Sequence, residues 1–262
     1  MVKKWNRLKG MMMSKKLLGK VAVVTGGSKG IGASIAEELA KEGAAVVVNY
    51  STSKEAADLV VQSIERKGGR SLAVQANMTN QKDIDHLFSE TEKAFGKLDI
   101  LINNAGFYEF APLEKITVEH FRKHFDLNVL GLLLACQTAV KYFNPAGGSI
   151  VNISSLASKS WAPYATVYSA TKAAVDSITK SLGCELGSRK IRVNAINPGI
   201  IQTEGTQSSG IIESDLRKKV EARTPLGRIG QPKDITKAAV FFASDDSAWI
   251  TSETLVITGG FR

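Results

Sequence analysis

Short apolar runs alternate with amphipathic stretches along almost the whole chain. The runs are rich in β-branched residues and are bounded by glycine or polar residues, which is typical of buried strands. They predict seven strands, at residues 21–25, 45–49, 71–76, 98–103, 149–154, 191–196 and 254–258. Apolar positions at helical spacing predict a helix that ends at Gly43 and further helices at about 53–67, 80–95, 117–143, 166–186 and 232–243.

This alternation predicts a parallel sheet with helices on both faces. No repeat or linker divides the 262 residues, so we predict a single doubly wound α/β domain of Rossmann type over residues 19–262. One irregular stretch, 199–231, is rich in Gly, Ser and Thr and carries a short helical piece near 213–223. It follows the carboxyl end of a strand, where open α/β sheets bind ligands. We interpret about 200–228 as a substrate lid; a plain surface excursion is the alternative.

The net charge of +9 is concentrated at the amino terminus. Seven basic residues and no acidic one lie within residues 1–20, so the rest of the chain is nearly neutral. A basic tail on a neutral body is not a basic recognition face, which argues against a nucleic-acid partner. We predict that residues 1–18 form a flexible tail; a targeting or lipid-binding segment is the alternative.

Hydropathy and cysteine usage exclude other classes of protein. No run of about 18 apolar residues is present, so no membrane span is predicted. Cys136 and Cys184 lack the spacing of a redox or metal motif, so we expect neither a disulfide nor a metal site. A cytoplasmic location is the corresponding expectation.

The segment TGGSKGIG, residues 25–32, lies between the first strand and the first helix. A glycine-rich turn in this context is typical of dinucleotide binding. Gly26 would allow a tight turn, Gly30 would let the backbone approach a pyrophosphate, and Gly32 would let helix and strand pack closely. The helix N-terminus would present free N–H groups to the phosphates. Glycines that serve only a sharp turn are the alternative.

The end of the second strand indicates which dinucleotide is bound. An acidic residue there would hold the ribose 2′-hydroxyl of NAD, but this strand ends in Asn49, Tyr50 and Ser51. No carboxylate would therefore repel a 2′-phosphate, and Lys29 in the glycine turn adds a positive charge. We predict NADP(H) as the cofactor; an ordinary exposed loop lysine is the alternative for Lys29.

The segment YATVYSATKAA, residues 164–174, would place Tyr164, Tyr168 and Lys172 on one helix face if it were wholly helical. One interpretation is a packed aromatic stripe with a solvated lysine at its end. The other is a tyrosine that transfers a proton, although a free tyrosine has a pKa of roughly 10.

Five motifs, in order and spacing, resemble the short-chain dehydrogenase/reductase family. They are TGGSKGIG, NNAG (103–106), Ser155 thirteen residues before Tyr168, the pair Tyr168 and Lys172, and NPG (197–199) after the sixth strand. The resemblance runs from about residue 18 to the C-terminus. It implies a single Rossmann domain with a seven-stranded sheet, usually assembled as a homotetramer.

The resemblance assigns a catalytic tetrad of Asn128, Ser155, Tyr168 and Lys172. Tyr168 would be the general acid, Ser155 would hydrogen-bond the carbonyl oxygen, and Asn128 would hold a water that connects Lys172 to solvent. Lowering the tyrosine pKa to roughly 7 takes about 4 kcal/mol. One positive charge at about 4 Å supplies about that much at an effective dielectric constant near 20, so Lys172 would be sufficient. Tyr164 lies neither thirteen residues after Ser155 nor one helical turn before Lys172, and it is expected to precede the helix.

The predicted cofactor contacts combine the glycine turn, the strand ends and the loops that the family uses. They are Gly26, Ser28, Lys29, Gly30, Ile31, Gly32, Asn49, Tyr50, Ser51, Asn77, Met78, Asn104, Ala105, Gly106, Tyr168, Lys172, Pro198, Gly199, Ile201 and Thr203. Asn77 departs from the family, where an aspartate is common near the adenine, but an amide can also hydrogen-bond it. The predicted substrate pocket comprises Phe107, Tyr108, Ala157, Trp161, Tyr164 and Ile200, with lid residues around Thr206 and Ile211; a supporting role in the loop is the alternative for Trp161 and Tyr164.

This pocket is largely apolar and aromatic, which favours a hydrophobic or aryl ketone over a free sugar. The leading hypothesis is an NADPH-dependent carbonyl reductase that makes a secondary alcohol from a small-molecule ketone. Reduction of a 3-oxoacyl carrier protein is the first alternative, and a sugar or polyol dehydrogenase is the second. A nucleotide sensor without turnover would typically lack the tyrosine or the lysine, and this chain has both.

Overall fold

A computed structural model describes residues 15–160, 162–208 and 215–262. Seven parallel strands form one sheet in the order β3-β2-β1-β4-β5-β6-β7. The strands are β1 (Val21–Val24), β2 (Ala45–Tyr50), β3 (Arg70–Gln75), β4 (Ile100–Asn103), β5 (Gly148–Ile153), β6 (Ile191–Pro198) and β7 (Thr254–Ile257). The predicted fold class and all seven strands are confirmed.

Helices connect the strands and cover both faces of the sheet. They are α1 (Gly30–Lys41), α2 (Lys54–Arg66), α3 (Gln81–Phe95), α4 (Val118–Phe125), α5 (Leu132–Tyr142), α6 (Thr166–Glu185), α7 (Glu204–Ser208), α8 (Asp215–Arg223) and α9 (Pro232–Ala243). The short helix α7 was not predicted. Within the described ranges, none of these helices has the length and apolarity needed to cross a bilayer.

Alternate residues of the central strands face two separate hydrophobic layers. Val24 and Val48 pack in one layer with Leu39 of α1, whereas Val23 and Val47 pack in the other. Because successive side chains of a strand point to opposite faces, a strand buried on both faces has to be apolar throughout. This requirement explains the unbroken apolar runs in the sequence.

The strand order reverses between β1 and β4, and the loops after these two strands carry the glycine turn and NNAG. Gly26 has φ +59°, and a Cβ there would lie 3.0 Å from the Ala105 Cα. A Cβ at Gly32 would collide with the Gly26 carbonyl oxygen and the Asn104 amide. The two loops are therefore packed directly against each other at the point where such sheets bind ligands.

The helix predicted over 117–143 is interrupted. Residues Asp126–Gly131 form a π turn between α4 and α5, and this turn contains Asn128. A π turn holds one residue more than an α turn and often occurs at functional sites. A Cβ at Gly131 would collide with the Met78 carbonyl oxygen, so the turn also lies directly against the loop after β3.

The tail predicted over residues 1–18 is shorter than expected. Residues 1–14 lie outside the described part of the chain. Leu17, however, is fully buried in the core, and its N–H donates to the Glu42 carbonyl at 2.9 Å. Lys16 also forms an ion pair with Asp246. The folded domain therefore begins before residue 17, because an apolar leucine follows the basic run and fits beneath the end of α1.

Candidate active site

The four predicted catalytic residues come from three segments that meet at the carboxyl edge of the sheet. Ser155 follows β5, Tyr168 and Lys172 lie one turn apart in α6, and Asn128 comes from the π turn. A Cβ at Gly106 would lie 3.5 Å from Asn128 Oδ1 and 3.7 Å from Lys172 Nζ, so the loop after β4 borders both groups. The structure thus places the four side chains around one site.

The hydroxyl groups of Tyr168 and Ser155 lie near each other, so that Ser155 influences the Tyr168 pKa. Ser155 is held in an extended conformation, and its Oγ accepts the Ala157 N–H at 3.1 Å. The ring of Tyr108 lies edge-on to Tyr168, with 6.1 Å between centroids. Burial raises the pKa of Tyr168 above its ordinary value, the Ser155 hydrogen bond lowers it, and Tyr108 adds a smaller upward contribution.

Lys172 is buried beneath the tyrosine. Its Nζ donates to the Ile153 carbonyl at 2.9 Å and lies 5.8 Å from the Tyr168 ring centroid. Burial lowers the pKa of Lys172 to about 8, and the negative charge of Asp176, one turn farther along α6, opposes that shift.

The expectation that Lys172 lowers the Tyr168 pKa to near neutrality is not met, because the pKa of Tyr168 is raised. Burial has the larger effect, because it disfavours the charged form of each residue. Because its pKa is raised above the ordinary value of a tyrosine, the Tyr168 hydroxyl is protonated at neutral pH. A protonated hydroxyl is the state from which a general acid donates, so this arrangement suits proton transfer to a developing alkoxide.

The Asn128 side chain is hydrogen-bonded to two elements of the protein, and its role in holding a water stays a prediction. Its Nδ2 donates to the Phe107 carbonyl at 2.8 Å and to Thr171 Oγ1 at 3.0 Å, and its Oδ1 accepts the Phe107 N–H at 2.7 Å. Both amide hydrogens are therefore engaged by protein groups, and the side chain is not available to hold a relay water through them. It joins the loop after β4 to α6.

A polar network behind the tetrad was not predicted. The Asp176 carboxylate accepts hydrogen bonds from Ser158 Oγ at 2.7 Å and from Asn197 Nδ2 at 2.9 Å. Asn197 Nδ2 also lies 3.2 Å from the Ser155 carbonyl. Asp176 stands four residues after Lys172, and this spacing of acid and lysine on a helix was the signal available in the sequence.

The glycine turn fits a dinucleotide phosphate. Lys29 is the N-cap of α1, and no side chain of the described residues caps this helix, so its first N–H groups remain available. Lys29 is exposed and forms no ion pair with any described carboxylate. Ser28 and Gly30 lie in the same turn, and Ile31 lines the cleft described below.

Only part of the predicted contact set after β2 and β3 faces the site. The Asn49 side chain lies beneath the glycine turn: its Oδ1 accepts the Gly26 N–H at 3.0 Å and its Nδ2 donates to the Ala76 carbonyl at 3.0 Å. The side chains of Tyr50 and Met78 are buried in the core, so direct contact between them and a cofactor is not supported. Ser51 and Asn77 are exposed at the edge, because the chain leaves the sheet there.

In the loop after β4, the Asn104 side chain supports the glycine turn rather than pointing away from it. Its Nδ2 donates to the carbonyls of Thr25 and Gly26 at 3.0 and 2.9 Å. The Ala105 N–H donates to Thr25 Oγ1 at 3.0 Å. These loops are therefore joined before any ligand binds.

A cleft of about 530 Å³ opens above the tetrad. Of the predicted residues it is lined by Ile31, Asn104, Gly106, Phe107, Tyr108, Ala157, Ser155, Tyr168, Lys172, Pro198, Gly199, Ile200, Ile201, Thr203 and Thr206. The cleft is also lined by residues that were not predicted as pocket residues from the sequence, which include Phe110, Leu156, Leu216, Lys219, Val220, Arg223 and Phe261. The lining is mostly apolar, and its outer wall is α8, which lies in the predicted lid.

Tyr164 is not among the described residues that line this cleft. Its side chain is 62% exposed, and its backbone is left-handed, with φ +66°. It precedes α6, as expected, but its backbone turns it outward, and its carbonyl accepts the Ala111 N–H at 2.9 Å. Its prediction as a pocket residue is wrong. Trp161 and Ile211 lie outside the described residues.

The described chain contains no group of three or more His, Cys, Asp or Glu residues arranged to bind a metal ion. Cys136 is buried and Cys184 is exposed, and both are free thiols. The polar side chains of the described cleft lining carry hydroxyl, amide, ammonium and guanidinium groups.

Comparison with known proteins agrees with this arrangement. A family model described as "Enoyl-(Acyl carrier protein) reductase" matches residues 26–262. The chain is 52% identical to an uncharacterised oxidoreductase of Methylorubrum extorquens, over 94% of this chain and 99% of that protein. It is 38% identical to the hydroxynaphthalene reductase-like protein Arp2 of Metarhizium majus, over 94% and 96% of the two chains.

Among solved structures, the chain is similar to a 7α-hydroxysteroid dehydrogenase complexed with NADH and 7-oxo glycochenodeoxycholic acid. The identity is 34%, the TM-score is 0.90, and the match covers 95% of this chain and 96% of that one. The matches in sequence and in fold therefore both extend over most of the chain. The chain belongs to the short-chain dehydrogenase/reductase family of oxidoreductases, which act on hydroxyl and carbonyl groups.

Proposed function

We propose that the protein is an NADPH-dependent reductase that converts a ketone on a hydrophobic or aryl small molecule into a secondary alcohol. The observation that carries the proposal is the meeting of Tyr168, Ser155 and Lys172 in the lining of one mostly apolar cleft, with the Lys172 ammonium 5.8 Å from the Tyr168 ring. When bound, the nicotinamide supplies the hydride.

The side chains divide the remaining work. Ser155 donates a hydrogen bond to the substrate carbonyl oxygen, which orients the carbonyl and stabilises the charge that develops on it. Tyr168 gives its hydroxyl proton to that oxygen. The Lys172 ammonium, 5.8 Å from the ring centroid, stabilises the phenolate that remains. Asn128 fixes the loop of Phe107 against α6 and so holds the cleft in shape.

The preference for NADPH is supported by charge. Lys29 is exposed at the start of α1 and has no described acidic partner, and no carboxylate stands at the end of β2. A 2′-phosphate placed between Lys29 and Ser51 would therefore meet the Lys29 cation and no carboxylate from the end of β2. The similar 7α-hydroxysteroid dehydrogenase was solved with NADH. The preference of this protein for NADPH over NADH therefore requires a direct comparison of the two cofactors.

The substrate class is supported by the cleft and by the names of relatives. The aromatic rings of Tyr108 and Phe110 pack edge-on against Tyr168, which leaves an apolar path to the reacting hydroxyl. Planar ring systems fit such a path better than a sugar, whose hydroxyl groups would lose hydrogen bonds to water there. One relative is named for hydroxynaphthalene reduction, and one structural neighbour holds an oxo-steroid.

The alternative of a 3-oxoacyl carrier protein reductase has less support. Arg189 is a cation that an acidic carrier protein could contact, but it precedes β6, at the opposite edge of the sheet from the cleft. Its guanidinium donates to the Val140 carbonyl at 2.6 Å. A sugar or polyol dehydrogenase is disfavoured by the apolar lining.

We also propose a cytoplasmic homotetramer. Exposed apolar side chains on and around α4 and α5, including Val118, Phe121, Leu130 and Leu133, would be covered by a second copy. Leu255, on the edge strand β7, and the neighbouring Trp249 are also exposed.

Cofactor oxidation in the presence of a substrate panel tests the proposal. The panel contains aryl and steroid ketones, an acetoacetyl thioester, an enoyl thioester and a keto sugar, each with NADPH and with NADH. We expect turnover of the ring ketones with NADPH and a loss of about 100-fold or more in Tyr168→Phe. Equal activity of the variant and wild type, or turnover restricted to the enoyl thioester, would refute the mechanism.

A further inference from the structure

Helix α8 presents an unusual stripe to the cleft. Leu216, Lys219, Val220 and Arg223 all line it, at the spacing that places residues on one helix face. An inward-facing stripe is normally apolar throughout, but here two of its four positions are cationic. Lys219 and Arg223 are exposed to solvent and also border the cleft, so they lie at its mouth.

Neither cation pairs with an acidic side chain of the residues that the structure describes. Arg217, on the same helix, pairs with Glu221 at 3.0 Å, whereas Lys219 and Arg223 form no ion pair with any described carboxylate. The described residues that line the cleft include no Asp or Glu, so its charged groups are Lys172, Lys219 and Arg223. The described lining is thus mostly apolar, and its charged side chains are all cationic.

Arg223 is already oriented for a ligand. Its guanidinium carbon lies 5.1 Å from the centroid of the Phe261 ring, which also lines the cleft. Stacking on an aromatic ring uses the face of the guanidinium and leaves its N–H donors free in the plane. Those donors have the geometry that binds a carboxylate.

We propose that Lys219 and Arg223 form a subsite for a carboxylate carried by the ketone substrate at a distance from its carbonyl group. The proposal rests on the proposed function and narrows its substrate class to amphipathic oxo-acids: a ring system for the apolar lining, a ketone at Tyr168 and an anion at α8. A phosphate on the pantetheine arm of a thioester substrate would meet the same cations, so the test separates the two sources.

Matched substrates give the first test. The kcat/KM values for an acetylbiphenyl carboxylate, its methyl ester and acetoacetyl coenzyme A are measured with wild type, Lys219→Gln and Arg223→Gln. Lys218→Gln, on the same helix but not in the cleft lining, is the matched control. We expect each cleft variant to lose roughly tenfold on the carboxylate only, which is the scale of a charge-assisted hydrogen bond. Arg223→Lys should retain part of the preference.

The outcomes are distinct. Equal losses on acid and ester would mean that the cations only support α8, and a loss restricted to the coenzyme A thioester would assign them to its phosphates; either result overturns the proposal. If Lys219→Gln and Arg223→Gln lose affinity for NADPH by the same factor as activity on the carboxylate, the two cations bind the cofactor, and the proposal is also overturned. If no ketone is reduced, calorimetry of biphenyl carboxylate binding decides: affinity that falls in Lys219→Gln and not in Lys218→Gln supports the subsite although the proposed function has failed, and unchanged affinity overturns both.

Discussion

The Lys172 ammonium lies 5.8 Å from the centroid of the Tyr168 ring, one helical turn below it, and donates to the Ile153 carbonyl. At that distance, a positive charge stabilises a phenolate by about 3 kcal/mol at an effective dielectric constant near 20. The pKa of Lys172 is lowered to about 8, so the charge is present at neutral pH and is lost as the pH rises.

Ketone reduction should therefore fall with rising pH. Below about pH 8 Lys172 is protonated, and above it the phenolate left on Tyr168 loses its counter-charge. We expect kcat to be level at neutral pH and to decline through an apparent pKa of about 8, as measured under saturating NADPH. Lys172→Arg should abolish this decline, because a guanidinium does not titrate in that range. A wild-type profile that stays level well above pH 8 would contradict the assignment.

Asp176 should determine the pH at which kcat declines. Its charge raises the pKa of Lys172 against the effect of burial, so Asp176→Asn should lower the Lys172 pKa further. The decline in kcat then moves to lower pH. Ser158→Ala is the control, because it removes a hydrogen bond to Asp176 but leaves the charge. If both variants shift the profile equally, Asp176 acts through packing alone.

Lys29 should discriminate between the two nicotinamide cofactors. Lys29→Ala removes the exposed cation at the start of α1, and we expect NADPH to lose roughly tenfold in affinity while NADH changes little. Lys54→Ala is a matched control after β2, because Asp58 already pairs with Lys54 at 2.6 Å. Fluorescence titration of both cofactors measures the difference, and similar losses for NADPH and NADH would remove Lys29 from the 2′-phosphate.

Asn128 should contribute to stability as well as to activity. Asn128→Ala leaves the Phe107 N–H and carbonyl without their partner, and a buried unpaired group costs about 1–3 kcal/mol. We expect a lower midpoint of denaturant unfolding together with a lower kcat. Thr171→Val, which removes a single partner of the same amide, should cost less. Wild-type stability in Asn128→Ala would mean that these hydrogen bonds are not formed in solution.

The amino-terminal boundary can be tested by truncation. Deleting residues 1–12 removes no described contact and should leave turnover intact. Leu17→Ala should destabilise the protein by about 2–5 kcal/mol, since Leu17 is fully buried. Thermal unfolding of both variants measures this difference. A truncated protein without activity would assign a function to the basic segment.

Local patterns in the sequence were sufficient to predict the sheet, because strands β1, β2, β4 and β5 are almost wholly buried and mostly apolar. The tetrad was assigned by resemblance to the family, and the structure brings its four members to one site. The side-chain orientations of Asn49 and Tyr164 were not predictable in this way. The first depends on carbonyl groups of β3, and the second on a left-handed backbone residue before α6. The cations of α8 were missed because a lysine-rich helix indicates a solvated surface until the opposite wall is known.

The π turn at Asp126–Gly131 has a consequence for how this sequence can vary. Because the turn accommodates one additional residue, deleting a single residue there could leave α4 and α5 as one regular helix and keep the hydrophobic layers intact. The same deletion would rotate Asn128 away from Phe107. In an alignment of relatives, a gap of one position in this segment would therefore mark a chain that keeps the fold but has lost the geometry of the cleft, even where the tyrosine and lysine are retained.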